Sequence, residues 1–165
     1  MADEVTGNGA AVQQPTGAAG HQEILVNAQY IKDLSFENPR SPQILMQLPT
    51  PPAVEINIDA NAQPLGEDTY EVVVSIRALA KSQTDTLFLV ELDYAAHVTV
   101  RNVAQEFLPA AILVEVPRLI FPFARNVVAD ITRHGGFPPL LINPFDFAEL
   151  LRQRAESAEP SADTV

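Results

Sequence analysis

The 165-residue chain has no cysteine and no tryptophan. Without cysteine it has no disulfide framework, no thiolate nucleophile and no Cys-ligated metal site. Bases are scarce: Lys and Arg total 10 against 21 Asp and Glu, a formal charge of -11 at pH 7. A phosphate-tracking surface would work against the field of the whole molecule, so nucleic acid is a poor partner. Long apolar runs are missing too. The longest, Ala110 to Val114, falls far short of the ~18 residues that cross a bilayer. The stretch up to Gly20 holds Asp3 and Glu4 but no base and no apolar block, unlike a secretory signal. A soluble cytoplasmic protein is the expectation.

Apolar residues and proline are plentiful. Hydrophobic residues make up 47% of the chain and charged ones 19%, so some apolar surface is expected to meet a partner or another subunit. Fourteen prolines call for ordered connections that are neither helix nor central strand. Residues 1–20 and 153–165, polar and without period, are expected to be disordered tails around a domain at 21–152.

Four segments alternate with a period of two, as half-buried strands do. From Gln22 to Glu37 the even positions read Ile24, Val26, Ala28, Tyr30, Lys32, Leu34, Phe36, against Glu23, Asn27, Gln29, Asp33, Ser35 and Glu37. Segments starting at Val54, Tyr70 and Thr86 repeat the pattern, although Leu87 and Leu89 interrupt the polar side of the last. Every strand aromatic falls on the apolar parity, which predicts one antiparallel sheet with a packed face and an accessible face. Short polar turns are expected at Gln63 to Asp68 and Lys81 to Asp85. The stretch Asn38 to Ala53, with five prolines around Ile44, Leu45, Met46 and Leu48, is too stiff for a hairpin and predicts a crossover between non-neighbouring strands.

After Val100 the period changes. Pro109 and Pro117 allow at most a short helix before a helix that starts at Pro122 and ends at His134 ahead of Gly135-Gly136. Its stripe, Phe123, Val127, Val128 and Ile131, wraps too far for one sheet to cover and predicts a subunit interface. A last helix is expected after Asn143 as N-cap and Pro144, with Asp146 near its positive end. Phe145 and Phe147, two apart, are not expected to face the same way on a helix.

Catalytic signatures are sparse. His21, His97 and His134 have no metal-ligand spacing, and phosphate-binding loops, zinc-protease motifs and nucleophile elbows are missing. The carboxylates Asp33, Glu37, Glu91 and Asp93 share the wet parity, where a solvated surface is the default and a dry pocket that would separate their pKa values is not expected. Between Asp33 and Asp93 lie ten acids and three bases, so the strand half carries most of the acidity. Such a face suits either solubility or an electrostatically steered basic partner.

The segments YIKDLSFENP (Tyr30–Pro39), DTYEVVVSI (Asp68–Ile76), LFLVEL (Leu87–Leu92) and PRLIFPFARNVVADITRHGGFPPLLINPFDF (Pro117–Phe147) resemble the SecB family of protein-export chaperones, in order over residues 22–151. The resemblance implies an α+β fold: a four-stranded antiparallel sheet, a long crossover loop and two C-terminal helices packed on one face, assembled as a dimer of dimers. It also implies a cytoplasmic chaperone that holds unfolded secretory precursors and delivers them to the SecA motor, with no enzyme activity, cofactor or metal. SecA-contacting residues correspond to Asp33, Glu37, Leu89 and Glu91, all on the accessible parity. The client groove carries over to Val54, Ile56, Ile58, Phe147 and Leu151, with Ile44, Leu45, Met46 and Leu48 from the loop. The loop lacks a tryptophan that some members carry, and Leu151 stands where an aromatic is common. The competing reading is a cone-shaped α+β enzyme or small-molecule carrier, which asks for an ionisable residue on the packed parity of the strands; Lys32 alone occupies such a place.

Overall fold

Strands β1 (Glu23–Glu37), β2 (Ala53–Gly66), β3 (Thr69–Ser82) and β4 (Asp85–Arg101) pair antiparallel in the order β1-β4-β3-β2. The computed structural model describes residues 20–47, 52–83 and 85–158. The expected tails at 1–19 and 159–165, and Leu48 of the crossover loop, lie outside the described residues. Because β1 and β2 are the two edges, the proline-rich connection between them must span the sheet, and it carries a short helix, α1 (Gln43–Met46). The turn into β3 is tighter than expected. Strand β2 runs through Pro64 to Gly66, leaving Glu67 and Asp68 as the turn, with Asp68 at φ 55°. An edge strand tolerates Pro64 because one side of it needs no ladder bond.

The alternation is realised most fully on the two central strands. Val72, Val74, Ile76, Ala78 and Ala80 on β3, and Phe88, Val90, Leu92, Ala96 and Val98 on β4, are all buried. Leu87 is buried as well, because the β3–β4 register shifts between Ala80 and Lys81 and leaves it without a cross-strand partner.

The helical region is longer than its prolines suggested. Helix α2 (Leu108–Ala110), a π turn (Ala111–Glu115) and α3 (Val116–His134) follow one another without a break, so Pro122 lies inside α3 rather than at its start. Pro109 sits in the first turn, where an N–H has no partner to lose, and Pro117 follows the widened turn. At Pro122 one backbone bond is given up, and burial of Ile120, Phe121, Ala124 and Val128 against the sheet offsets it. Helix α3 packs on β4, β3 and β1. It ends as the glycine pair predicted: Gly136 takes φ 88°, its N–H reaches the Arg133 carbonyl, and the Phe137 N–H reaches that of Thr132. The buried Thr132 hydroxyl accepts from the Leu140 N–H at 2.9 Å, tying the following proline-rich link to the helix.

Helix α4 (Phe147–Ala158) is capped by Asp146, not Asn143: its Oδ1 accepts from the N–H groups of Ala148 and Glu149 at 3.0 and 3.1 Å. The helix continues past Arg152, into the stretch expected to be a tail. Arg152 pairs with Glu149 and Glu156, while Arg154 donates to the Ala60 carbonyl on β2 at 2.6 Å and pairs with Asp59. Phe145 and Phe147 do meet, edge to face at 5.0 Å between centroids, because Phe145 precedes the helix and escapes its geometry. Among the described residues no helix is long and apolar enough to cross a membrane.

Candidate functional site

The sheet has one face under the helices and one face open. Asp33, Glu37, Leu89 and Glu91 all lie on the open face, brought together by the pairing of β1 with β4: Glu37 opposite Leu89, Ser35 opposite Glu91, Asp33 opposite Asp93. From β3, Ser75 Oγ donates to Asp93 at 2.6 Å and Arg77 Nε to Glu91 at 3.2 Å. A shallow depression of about 350 Å³ separates these side chains, bordered also by Asn57 and Asp59 of β2. The exposed Arg77–Glu91 pair is weakened by solvent screening, and Arg77 stands against Asp33, Asp59, Glu91 and Asp93 around the depression, so its lining is net acidic.

Strand β1 reaches this arrangement by an indirect route. Its register with β4 slips between Val26 and Ala28 and again between Ile31 and Asp33. Each bulge reverses which parity faces the helices, and two of them restore it. Between the bulges, Tyr30 pairs opposite Ala95 and turns onto the open face, contrary to its expected place with the apolar parity. There its hydroxyl donates to Glu71 Oε1 at 2.5 Å, while Lys32 Nζ and Gln63 Nε2 donate to Oε2 at 2.6 Å each. Lys32, expected on the packed parity, falls in the second bulge and reaches the open face as well. Glu71, expected to be wet, is only 7% exposed. The Lys32 ammonium bond, then those from Tyr30 and Gln63, hold its carboxyl below the ordinary glutamate value against the opposing effect of burial. In turn the Glu71 carboxylate raises the Tyr30 hydroxyl above 10.0. Alternation alone could not find this cluster, since locating a bulge requires the partner strand.

On the helix side, the groove candidates separate into two groups. Val54 and Ile58 are half-buried and Ile56 is exposed on the edge strand β2, and Leu151 is half-buried on α4. In the crossover loop, Ile44 and Leu45 are half-buried and Met46 is 83% exposed. Leu45 lies against Gly136 so closely that a Cβ there would come within 2.9 Å of Leu45 Cδ1, which anchors the loop to the end of α3. Phe147 leaves the groove list. It is 1% exposed, with Phe121 edge to face at 5.6 Å, and belongs to the core. The α3 stripe needs a similar correction: Val128 is fully buried in its own chain and has no side chain to offer a second subunit. Val127 and Ile131 are half-buried, while Phe123 and, four residues earlier, Leu119 are each 51% exposed.

The model of the family described as preprotein translocase subunit SecB matches residues 17–158. A protein-export protein SecB of Rhodospirillum rubrum is 46% identical over 147 residues, covering 89% of this chain and 91% of that protein. One from Rhodopseudomonas palustris is 48% identical, covering 88% and 91%, and one from Bartonella quintana is 42% identical, covering 88% and 92%. Among solved structures, a SecB-like chaperone of Mycobacterium tuberculosis in complex with a ChAD peptide from the HigA1 antitoxin aligns with a TM-score of 0.56 at 17% identity, covering 74% of this chain and 90% of that one. That likeness concerns the fold, a four-stranded antiparallel sheet with C-terminal helices. With match and identity extending over most of its length, the chain belongs to the SecB family of protein-export chaperones.

Proposed function

We propose that this chain binds unfolded secretory precursors in the cytoplasm, keeps them competent for translocation and hands them to the SecA motor, working as a dimer of dimers. The observation that carries the reading is the separation of its two surfaces: a net acidic open sheet face, and exposed apolar side chains on the loop, the β2 edge and α3. Asp33, Glu37, Leu89 and Glu91 are the motor contacts in this reading. The client lies along Ile44, Leu45, Met46, Val54, Ile56, Ile58 and Leu151, with Leu48 of the same loop, and α3 joins protomers through Phe123, Val127 and Ile131.

Burying one large client side chain yields about 1.5–3 kcal/mol, whereas fixing one client residue's backbone costs about 1–2 kcal/mol. Each contact is therefore nearly neutral, and tight binding without sequence preference comes from many weak sites on one oligomer engaging a single chain. Folded proteins are passed over because their apolar segments are already buried. The test is whether stoichiometric oligomer delays aggregation of a slow-folding precursor; unchanged aggregation would sink the reading. For the motor, Asp33→Lys or Glu91→Lys is expected to weaken SecA binding and its enhancement at low salt while client binding stays intact.

A further inference from the structure

The outer edge of β2 carries a ring of contacts that no neighbouring strand makes. At Ala60 the backbone N–H donates to Asp59 Oδ1 at 2.9 Å, and the carbonyl accepts from Arg154 Nη1 of α4 at 2.6 Å. Asp59 Oδ1 and Arg154 Nη2 close the ring by pairing with each other. In an antiparallel strand the two backbone groups of one residue point to the same side, and successive residues alternate sides. Ala60 therefore turns its N–H and carbonyl away from β3. The β2–β3 register, unbroken from Ala53 to Pro64, gives Val54, Ile56, Ile58 and Ala62 the same orientation. Pro64 has it too, and a ring nitrogen without an N–H fits an edge strand on its outward side. Among the described residues no other side chain bonds a β2 backbone group.

We propose that Arg154 and Asp59 plug the β2 edge, an autoinhibitory contact that ends strand addition by an extended client segment at Ala60, and that displacing the plug opens a further client site beside Ala62. The proposal rests on the client-binding reading and adds to it where along β2 a client pairs. An extended chain is the occupant that matches a row of outward donors and acceptors about 6.8 Å apart, the rise of two strand residues. Val54, Ile56 and Ile58 present that row. Beyond the plug lies a cavity of about 370 Å³, lined by Arg154, Asn61 and Ala62 and by Leu108, Ile112 and Leu113. Its apolar wall suits the side chains of the same segment further along. Pro64, which lacks a donor, ends the row. The plug is weak enough to yield, because the Arg154 and Asp59 side chains are 35% and 49% exposed and solvent screens their attraction. A tie that only held α4 to the sheet would not need to occupy both backbone groups of one edge residue.

The experiment measures binding of reduced, carboxymethylated α-lactalbumin, an unfolded chain, to the full-length chaperone at low and high salt, with amide exchange on β2 and thermal unfolding as the fold control. Arg154→Ala is expected to tighten binding at low salt by up to about fivefold, the factor for an exposed ion pair. The gap from wild type narrows at high salt, where screening has already weakened the plug. In wild type the bound chain protects the amides of Ile56 and Ile58, and in the variant protection extends to Ala60 and Ala62. Asp59→Asn, which leaves α4 untouched, is expected to move both readouts in the same direction by a smaller amount. If both variants bind as wild type with protection still ending at Ile58, there is no plug, and this inference fails although the client reading stands. If wild type itself does not bind the unfolded chain, the client reading fails with it. Weaker binding in both variants would make the pair part of the site, and a gain confined to Arg154→Ala would trace to a loosened α4. Larger species formed by the variants alone in sedimentation would give the edge to a second copy of the chain. Any of these three outcomes overturns the proposal.

Discussion

Glu71 shows how much one side chain can organise. Its carboxylate gathers donors from β1 and β2 onto β3 and lies almost wholly out of water. Because the folded state holds this carboxyl below 4.5, mainly through the Lys32 bond, folding releases a proton the unfolded chain would keep. Its contribution to stability is therefore complete above the ordinary glutamate range and is lost as pH falls through the lowered value. Glu71→Gln is expected to cost about 1.5–3 kcal/mol at neutral pH, the range for hydrogen bonds to a charged group. Denaturant titrations over a pH series should show the gap from wild type closing in acid; a gap constant with pH would mean the charge is irrelevant. Gly135 offers a second test. Its φ is unremarkable at -73°, yet a Cβ would run into the Phe36 ring, itself stacked on Phe88 at 6.1 Å. Gly135→Ala should destabilise by about 1–3 kcal/mol through overpacking, read by thermal unfolding.

At the scale of elements, three departures from the simplest sequence reading share a cause. Bulges in β1, a π turn ahead of α3, and a cap at Asp146 instead of Asn143 are each choices among local options that a neighbour decides. The β1 bulges bring Tyr30 and Lys32 to Glu71, and the burial of α3 against the sheet outweighs a proline in its interior. For α4, capping is the main local stabiliser at its start. Asp146→Ala should therefore cost about 1 kcal/mol and loosen the helix enough to raise amide exchange across Ala148 to Leu151. Unchanged exchange there would mean that the two Asp146 bonds do not hold the start of the helix. The crossover loop, by contrast, was legible from its prolines and its apolar cluster, because no hairpin can be built from such a stretch.

For the whole molecule, the proposed division of surfaces bears on the proposed assembly as well as on client binding. Leu119 and Phe123, one turn apart and half exposed on α3, are the part of the helical stripe that its own sheet leaves uncovered. Phe123→Lys is expected to shift the oligomer toward smaller species in sedimentation or native mass measurements, with the far-UV spectrum of the protomer retained; an unaltered assembly would move the interface elsewhere.

The sequence by itself determined the four strands, the acidic and apolar sides of the central two, the crossover, the glycine-terminated helix and the family, since each is written in local period, turn chemistry or an extended motif. Tertiary structure alone decided that Tyr30 and Lys32 face outward, that Phe147 and Val128 belong to the core, and that Arg154 closes on Asp59 and Ala60. These facts depend on which residue of a distant strand or helix lies opposite. Alternation along a chain records two faces but not the register between strands, and a single slipped residue is enough to exchange them.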